Sequence, residues 1–169
     1  MPYAPLHEKF PDIAEKETRT LTVFDLPDLP QGRYGFVEAY CDEPGCDCRR
    51  VFFNVVDWQT GEIKAVIAYG WESKEFYAKW LGYDDPAILR ELQGPVLNSA
   101  SHQSQLAPAL LKQMTYILDD RSYVDRLMRH YKMYKAAIDK GAGKQKSGRR
   151  RELYEREFIG SIRDGEYRV

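Results

Sequence analysis

Hydrophobic residues recur along this chain with two different periods, and the change from one to the other divides it. Up to about residue 72 the apolar positions come in short runs: Tyr34–Cys41, Cys48–Trp58 and Ile63–Trp71 are rich in Val, Ile, Phe and Tyr. Such side chains suit a pleated, half-buried surface, so each run predicts a β-strand. Alternation in the last run puts Ile63, Ala65, Ile67, Tyr69 and Trp71 on one face. The connections through Pro44-Gly45 and Gln59-Thr-Gly-Glu62 are too short for a parallel crossover, so an antiparallel meander is expected. Thr20–Leu26, ended by Pro27, reads as an edge strand. Residues 1–19 are charged, contain proline and show no period, which predicts a loosely structured arm or a short helix.

Beyond Trp71 the period becomes helical. Ser73 is placed to cap a helix over Lys74–Leu81 that Gly82 would end, and Asp85-Pro86 opens another through Leu92. Gly94–Gln105 reads as a polar loop and Leu106–Leu118 as a helix. Asp120 or Ser122 then caps a long helix to about Ile138, with Val124, Leu127, Tyr131, Tyr134 and Ile138 forming one apolar stripe. Lys140–Gly148 has the composition of a flexible basic linker, and Arg149–Ile162 predicts a last helix with Leu153, Tyr154, Phe158 and Ile159 on one side. The fold class expected is α+β: a small antiparallel β-meander of three to four strands packed against C-terminal helices, which gather on one face. Residues 1–140 are expected to form a single metal-binding domain, followed over 141–169 by the basic linker and C-terminal helix or tail.

Composition fits a single ordered domain. At 169 residues, 43% hydrophobic and 13% aromatic, the chain has enough apolar surface for a real core. The opening residues have neither a basic n-region nor an apolar segment, and no apolar run approaches the roughly 20 residues that span a bilayer. A cytoplasmic protein with no membrane partner is therefore expected.

That compartment decides how the cysteines are read. All three lie in Cys41-Asp-Glu-Pro-Gly-Cys46-Asp-Cys48. An odd, clustered set in a reducing environment does not suit a disulfide framework, whereas zinc neutralises thiolates held close together. Cys41 ends one predicted strand, Cys48 opens the next, and Cys46 precedes it by two residues, so the hairpin tip can present three thiolates to one ion. Reduced thiols that merely pack, and redox or nucleophilic thiols, are the alternatives. A closed zinc site needs a fourth ligand. His102 in the polar loop and His130 on the long helix are the foremost candidates, with His7, Asp42, Asp47 or water behind them. Water would leave the open position of a catalytic site, with Glu43 or Glu72 as the base. No His-Glu-x-x-His, Gly-x-Ser-x-Gly or phosphate-cradling glycine motif supports an enzyme, so a non-catalytic role is expected.

The net charge of −1 conceals a division. Residues 1–120 carry 11 lysines and arginines against 19 acidic groups, and residues 121–169 carry 14 against 7. Lys144, Lys146, Arg149, Arg150 and Arg151 fall within eight residues, after a helix that interleaves Arg126, Arg129, Lys132 and Lys135 with tyrosines. Cations beside aromatic rings suit phosphates and unpaired bases, so RNA or DNA is a candidate partner for the C-terminal third. The other readings are a solvated helix face over a core stripe and attraction between the two parts of the chain. The apolar side of the last helix makes a homodimer a further expectation. Together these features predict a zinc-stabilised α+β binding or interaction module, with nucleic-acid binding as the alternative.

The segments Tyr40-Cys-Asp-Glu-Pro-Gly-Cys-Asp-Cys-Arg-Arg-Val51, Gln103–Leu111 and Tyr123–Tyr131 resemble a group of uncharacterised bacterial proteins, some of which carry a C-terminal SEC-C zinc motif. The resemblance spans residues 35–138 and implies a cytosolic, cysteine-rich bacterial protein, with His130 somewhat favoured as a site residue. The C-terminal residues of this chain contain no cysteine, in which they depart from the SEC-C-bearing members.

Overall fold

The computed structural model describes residues 3–141. Lys144, Lys146, Arg149, Arg150 and Arg151, the linker and the last predicted helix lie outside the described residues. The order of elements is β1 (Tyr3–Pro5), α1 (Leu6–Lys9), α2 (Pro11–Glu17), β2 (Arg19–Val23), β3 (Gly32–Cys41), β4 (Arg50–Asp57), β5 (Ile63–Gly70), α3 (Lys74–Leu81), α4 (Pro86–Gln93), β6 (Val96–Leu97), α5 (Ala107–Ile117) and α6 (Arg121–Gly141).

The expected meander is the centre of the sheet. β3, β4 and β5 pair antiparallel in sequence order, with a register shift at Val55/Val56. The sheet extends further than the pattern suggested. β6 pairs with β5 on one edge. The other edge is a broken strand: β1 pairs with Ala39–Cys41 and β2 with Gly32–Phe36 of the same β3. Helices α1 and α2 bridge the gap opposite Val37 and Glu38, so of the two expectations for this segment, a loose arm or a short helix, the helical one holds, with a strand before it. The polar loop after β6 is ordered by pairing of another kind. The Gln103 side chain bonds both the N–H and the carbonyl of Val66, and the N–H groups of Asn98 and Ser104 donate to Val66 and Lys64.

The chain is α+β, but its helices do not collect on one face. Phe36, Val51, Phe53, Val55, Ala65 and Ile67 are buried with residues of α5 and α6, including Leu110, Met114 and Leu127. The alternate residues Phe52, Val66 and Ala68 are buried with Tyr77, Leu81, Ile88, Leu89 and Leu92 of α3 and α4. Because side chains of a strand alternate between faces, the sheet lies between two helical layers. The polar face that a one-sided sheet requires is absent in β5, where Ala65 through Ala68 are all buried.

Helix ends follow the local chemistry. Ser73 Oγ accepts from the N–H of Phe76, and Gly82 closes α3 at φ 91°, in the left-handed region that glycine tolerates. The Asp85 carboxylate accepts from the N–H groups of Ala87 and Ile88 at the start of α4. In α6 the predicted stripe faces the core: Val124, Leu127, Tyr131 and Tyr134 are buried.

Candidate metal centre

The three cysteines converge. Cys41 is the last residue of β3, while Cys46 and Cys48 lie in the loop before β4, which starts two residues later than the pattern predicted. All three are buried, and their sulfurs lie within 4.8 Å of one another. Zinc–thiolate bonds of about 2.3 Å in a tetrahedron put sulfurs about 3.8 Å apart, so the group fits a single ion after only small side-chain rotations. Three buried cysteines this close can bind a metal ion.

The loop between them is held by one face of α6. Tyr131, Lys135 and Asp139 recur every four residues and so stand in one row along the helix. The Tyr131 hydroxyl donates to the Cys46 carbonyl and accepts from the N–H of Arg49. Lys135 Nζ donates to the carbonyls of Cys41 and Glu43, the former at 3.2 Å. Asp139 accepts from the N–H of Gly45, a residue at φ 64° that turns the loop back. Arg49 is held in the left-handed region at φ 50°, a conformation costly for a side chain with a Cβ. Tyr77 donates to its carbonyl, and Asp47 and Glu72 pair with its guanidinium. Main-chain geometry around the sulfurs is thus fixed from three directions.

The electrostatics suit an anionic thiolate centre. Hydrogen bonds from Cys41 and Cys46 hold the Cys48 thiol well below its usual range, against the effect of burial. Hydrogen bonds with Cys46 first and then Cys48 push Cys41 up, and burial adds to this. For Cys46 the bond with Cys41 acts downward but is outweighed by the bond with Cys48 and by burial, so it too is raised. Proton release is therefore favoured at Cys48 over its two neighbours, and a bound cation would favour negative charge on all three sulfurs. The buried Arg50 guanidinium favours that charge on Cys48, and the Lys135 ammonium favours it on Cys46.

Among the described residues, no histidine or carboxylate stands with the three sulfurs. His102 is exposed on its loop and His7 is exposed on α1. His130 is fully buried, but both of its ring nitrogens face carboxylates: Nδ1 lies 2.6 Å from Glu38 Oε2 and Nε2 lies 2.5 Å from Glu17 Oε2. A ring engaged on both sides has no lone pair free for a metal. Neither Glu43 nor Glu72, the sequence-based candidates for a base, joins the sulfurs, and Glu72 is paired with Arg49.

Sequence reasoning missed the Glu17–His130–Glu38 chain and the role of Lys135. Each had a signal. Glu38 interrupts the apolar run Phe36-Val-Glu-Ala-Tyr40, and a carboxylate there requires a buried partner. Lys135 stands four residues after Tyr131 and next to Tyr134, at the edge of the predicted apolar stripe, where burial would require an internal acceptor. Of the cations of α6 that suggested nucleic acid, Arg126 and Arg129 bond Glu17 and Lys135 bonds the cysteine loop, while Lys132 is exposed.

No family model, curated protein or solved structure matches the chain. Among the described residues no helix is long and apolar enough to cross a membrane.

Proposed function

We propose that this chain is a zinc-stabilised binding module, in which Cys41, Cys46 and Cys48 hold the ion and the rest of the molecule presents a surface to a partner. The observation that carries this reading is the convergence of three buried thiols beside two buried cations. Zinc suits the donor set because it is borderline-soft, takes thiolates readily and brings no redox chemistry of its own. Bound there, it would neutralise the thiolates and tie the end of β3 to the segment entering β4.

An interaction role is supported at the opposite end of the sheet. Phe24 and Leu26 in the β2–β3 connection, Trp58 in the β4–β5 connection and Ile63 at the start of β5 are exposed, Phe24 at 77% and Trp58 at 51%. The strand registers put these connections at the end of the sheet remote from the cysteines. Metal-stabilised framework and apolar surface are thus separate parts of the molecule.

The test is metal analysis of the full chain purified without chelators, beside Cys46→Ser and Cys48→Ser. One zinc per chain, lost from both variants together with part of the thermal stability, is the expected result. Wild-type protein that neither carries zinc nor takes it up would overturn the reading.

A further inference from the structure

The residues before β2 form a continuous strap. At one end β1 lies beside the cysteines, with Tyr3 in register with Cys41 and its hydroxyl 3.7 Å from Cys48 Sγ. The Tyr3 ring packs edge-on against Phe52 at 4.2 Å between centroids. From there α1 runs between β3 and α6, burying Leu6, and α2 buries Ala14. At the other end Glu17, the last residue of α2, is fastened to α6 at three points. Its carboxylate takes His130 Nε2 and Arg129 Nη2, and its carbonyl accepts from Arg126.

This fastening is the outer link of a chain of alternating charge. It runs from Arg129 through Glu17 and His130 to Glu38, whose Oε2 also accepts from Tyr40 at 2.8 Å. Glu38 is 2% exposed and its Oε1 has no hydrogen-bond partner, so the inner end depends on His130 and Tyr40. The groups around the chain are Glu17 from α2, Glu38 and Tyr40 from β3, Arg19 from β2, and Tyr123, Arg126 and Arg129 from α6. Among the described residues Glu38 and Glu17 are the carboxylates bonded to His130, so a break at Glu17 takes the carboxylate from its outer nitrogen.

We propose that residues 3–17 are a cover over the three-cysteine site, latched at Glu17 by His130 and Arg129, and that metal ions and thiol reagents reach the sulfurs when this latch releases. Chain geometry supports it. Between Tyr3 and Glu17 the arm is tied to β3 by only three register pairs, against five for β2 beyond it. Once the Glu17 carboxylate is free, what remains is the short β1 ladder with the Tyr3 contacts, the burial of Leu6 and Ala14, and the Arg126 bond to the Glu17 carbonyl. Local openings of this kind draw on the least stable parts of a fold and leave the central strands paired. For the ion the proposal rests on the zinc reading; for the thiols it does not.

The experiment uses the full chain with Glu17→Gln, which keeps the size of the side chain and removes its charge. In metal-free protein, alkylation by iodoacetamide followed by mass spectrometry reports how often the sulfurs are uncovered. We expect alkylation about tenfold faster than wild type, faster amide exchange confined to residues 3–17, and unchanged exchange in β4 and β5. Glu15→Gln, exposed on the same helix, should match wild type in all of these. If Glu17→Gln does not fold, Arg129→Gln removes the exposed partner of the same latch and should give a smaller acceleration. In zinc-loaded protein, transfer of the ion to excess EDTA should accelerate in parallel. Faster exchange in the arm with alkylation at the wild-type rate would overturn the proposal. So would unchanged exchange in the arm. Faster alkylation in a protein that binds no zinc would sustain the cover and remove the zinc function.

Discussion

Lys135→Met separates a structural from an incidental role for the most unusual lysine of the chain. Its ammonium is buried under the cysteine loop and donates to the carbonyls of Cys41 and Glu43. Hydrogen bonds to a charged group contribute about 1.5–3 kcal/mol each, and the Glu43 carbonyl keeps the Cys46 N–H as a donor when the ammonium is removed. Methionine keeps the length of the stem and removes the cost of burying an ammonium, which offsets part of the loss. The net expectation is a destabilisation of about 2–4 kcal/mol. It should be present in metal-free and zinc-loaded protein alike, because the acceptors are main-chain carbonyls in both. Urea unfolding followed by far-UV circular dichroism measures it, as a lower midpoint at unchanged slope. Lys132→Met, exposed and one turn away, is the reference and should change stability by less than about 0.5 kcal/mol. If the two variants were equally stable, Lys135 would not fasten α6 to the site.

Stability should also depend on pH through the buried ion chain. Burial acts to lower the His130 pKa, but the hydrogen bonds and charges of Glu38 and Glu17 outweigh it and raise the pKa above the usual 6.5. A raised folded-state pKa means that this contribution is complete below 6.5 and is lost as pH rises through the raised value. The Glu17 pKa is lowered from 4.5, chiefly by its bond with His130, so its contribution is present above 4.5 and lost on acidification below that. Urea midpoints measured across both ranges should show both losses, and His130→Gln should abolish the alkaline one; an unchanged alkaline limb would refute the assignment. Gly70→Ala should destabilise by about 1–3 kcal/mol, read as a lower melting temperature. Its Cβ would collide with the Tyr77 hydroxyl and stand 2.6 Å from the Leu92 carbonyl oxygen. An unchanged melting temperature would mean that α3 and α4 sit less closely on β5 than described.

Much of this fold was legible because its signals are local. The β3–β4–β5 meander, the caps at Ser73 and Asp85 and the stripe of α6 each depend on residues close in sequence. What escaped depends on distant partners. β1 is three residues long and β6 two, too short to show a period, and both exist because an edge of the sheet was available to them. The second helical layer was hidden by reading the alternation of β5 as one-sided, although Val66 and Ala68 are as apolar as Ala65 and Ile67. At the site, the three cysteines were legible from spacing alone. The place of His130 was not, because its neighbour on one side is 92 residues away and on the other 113.

The two unforeseen polar systems share one helix, which connects them. Consecutive residues of α6 face different tasks: His130 receives Glu17 and Glu38, and Tyr131 receives the Cys46 carbonyl. Neighbours along a helix point about 100° apart, so one helix can hold the arm with one flank and the cysteine loop with the next. Tyr40 joins the two flanks from the sheet side, donating to Glu38 while its ring packs against Tyr131 and Tyr134. A small rotation of α6 cannot then relax one system without straining the other. The arm meets this helix chiefly through Glu17, so release there would leave the Tyr131, Lys135 and Asp139 bonds to the cysteine loop in place.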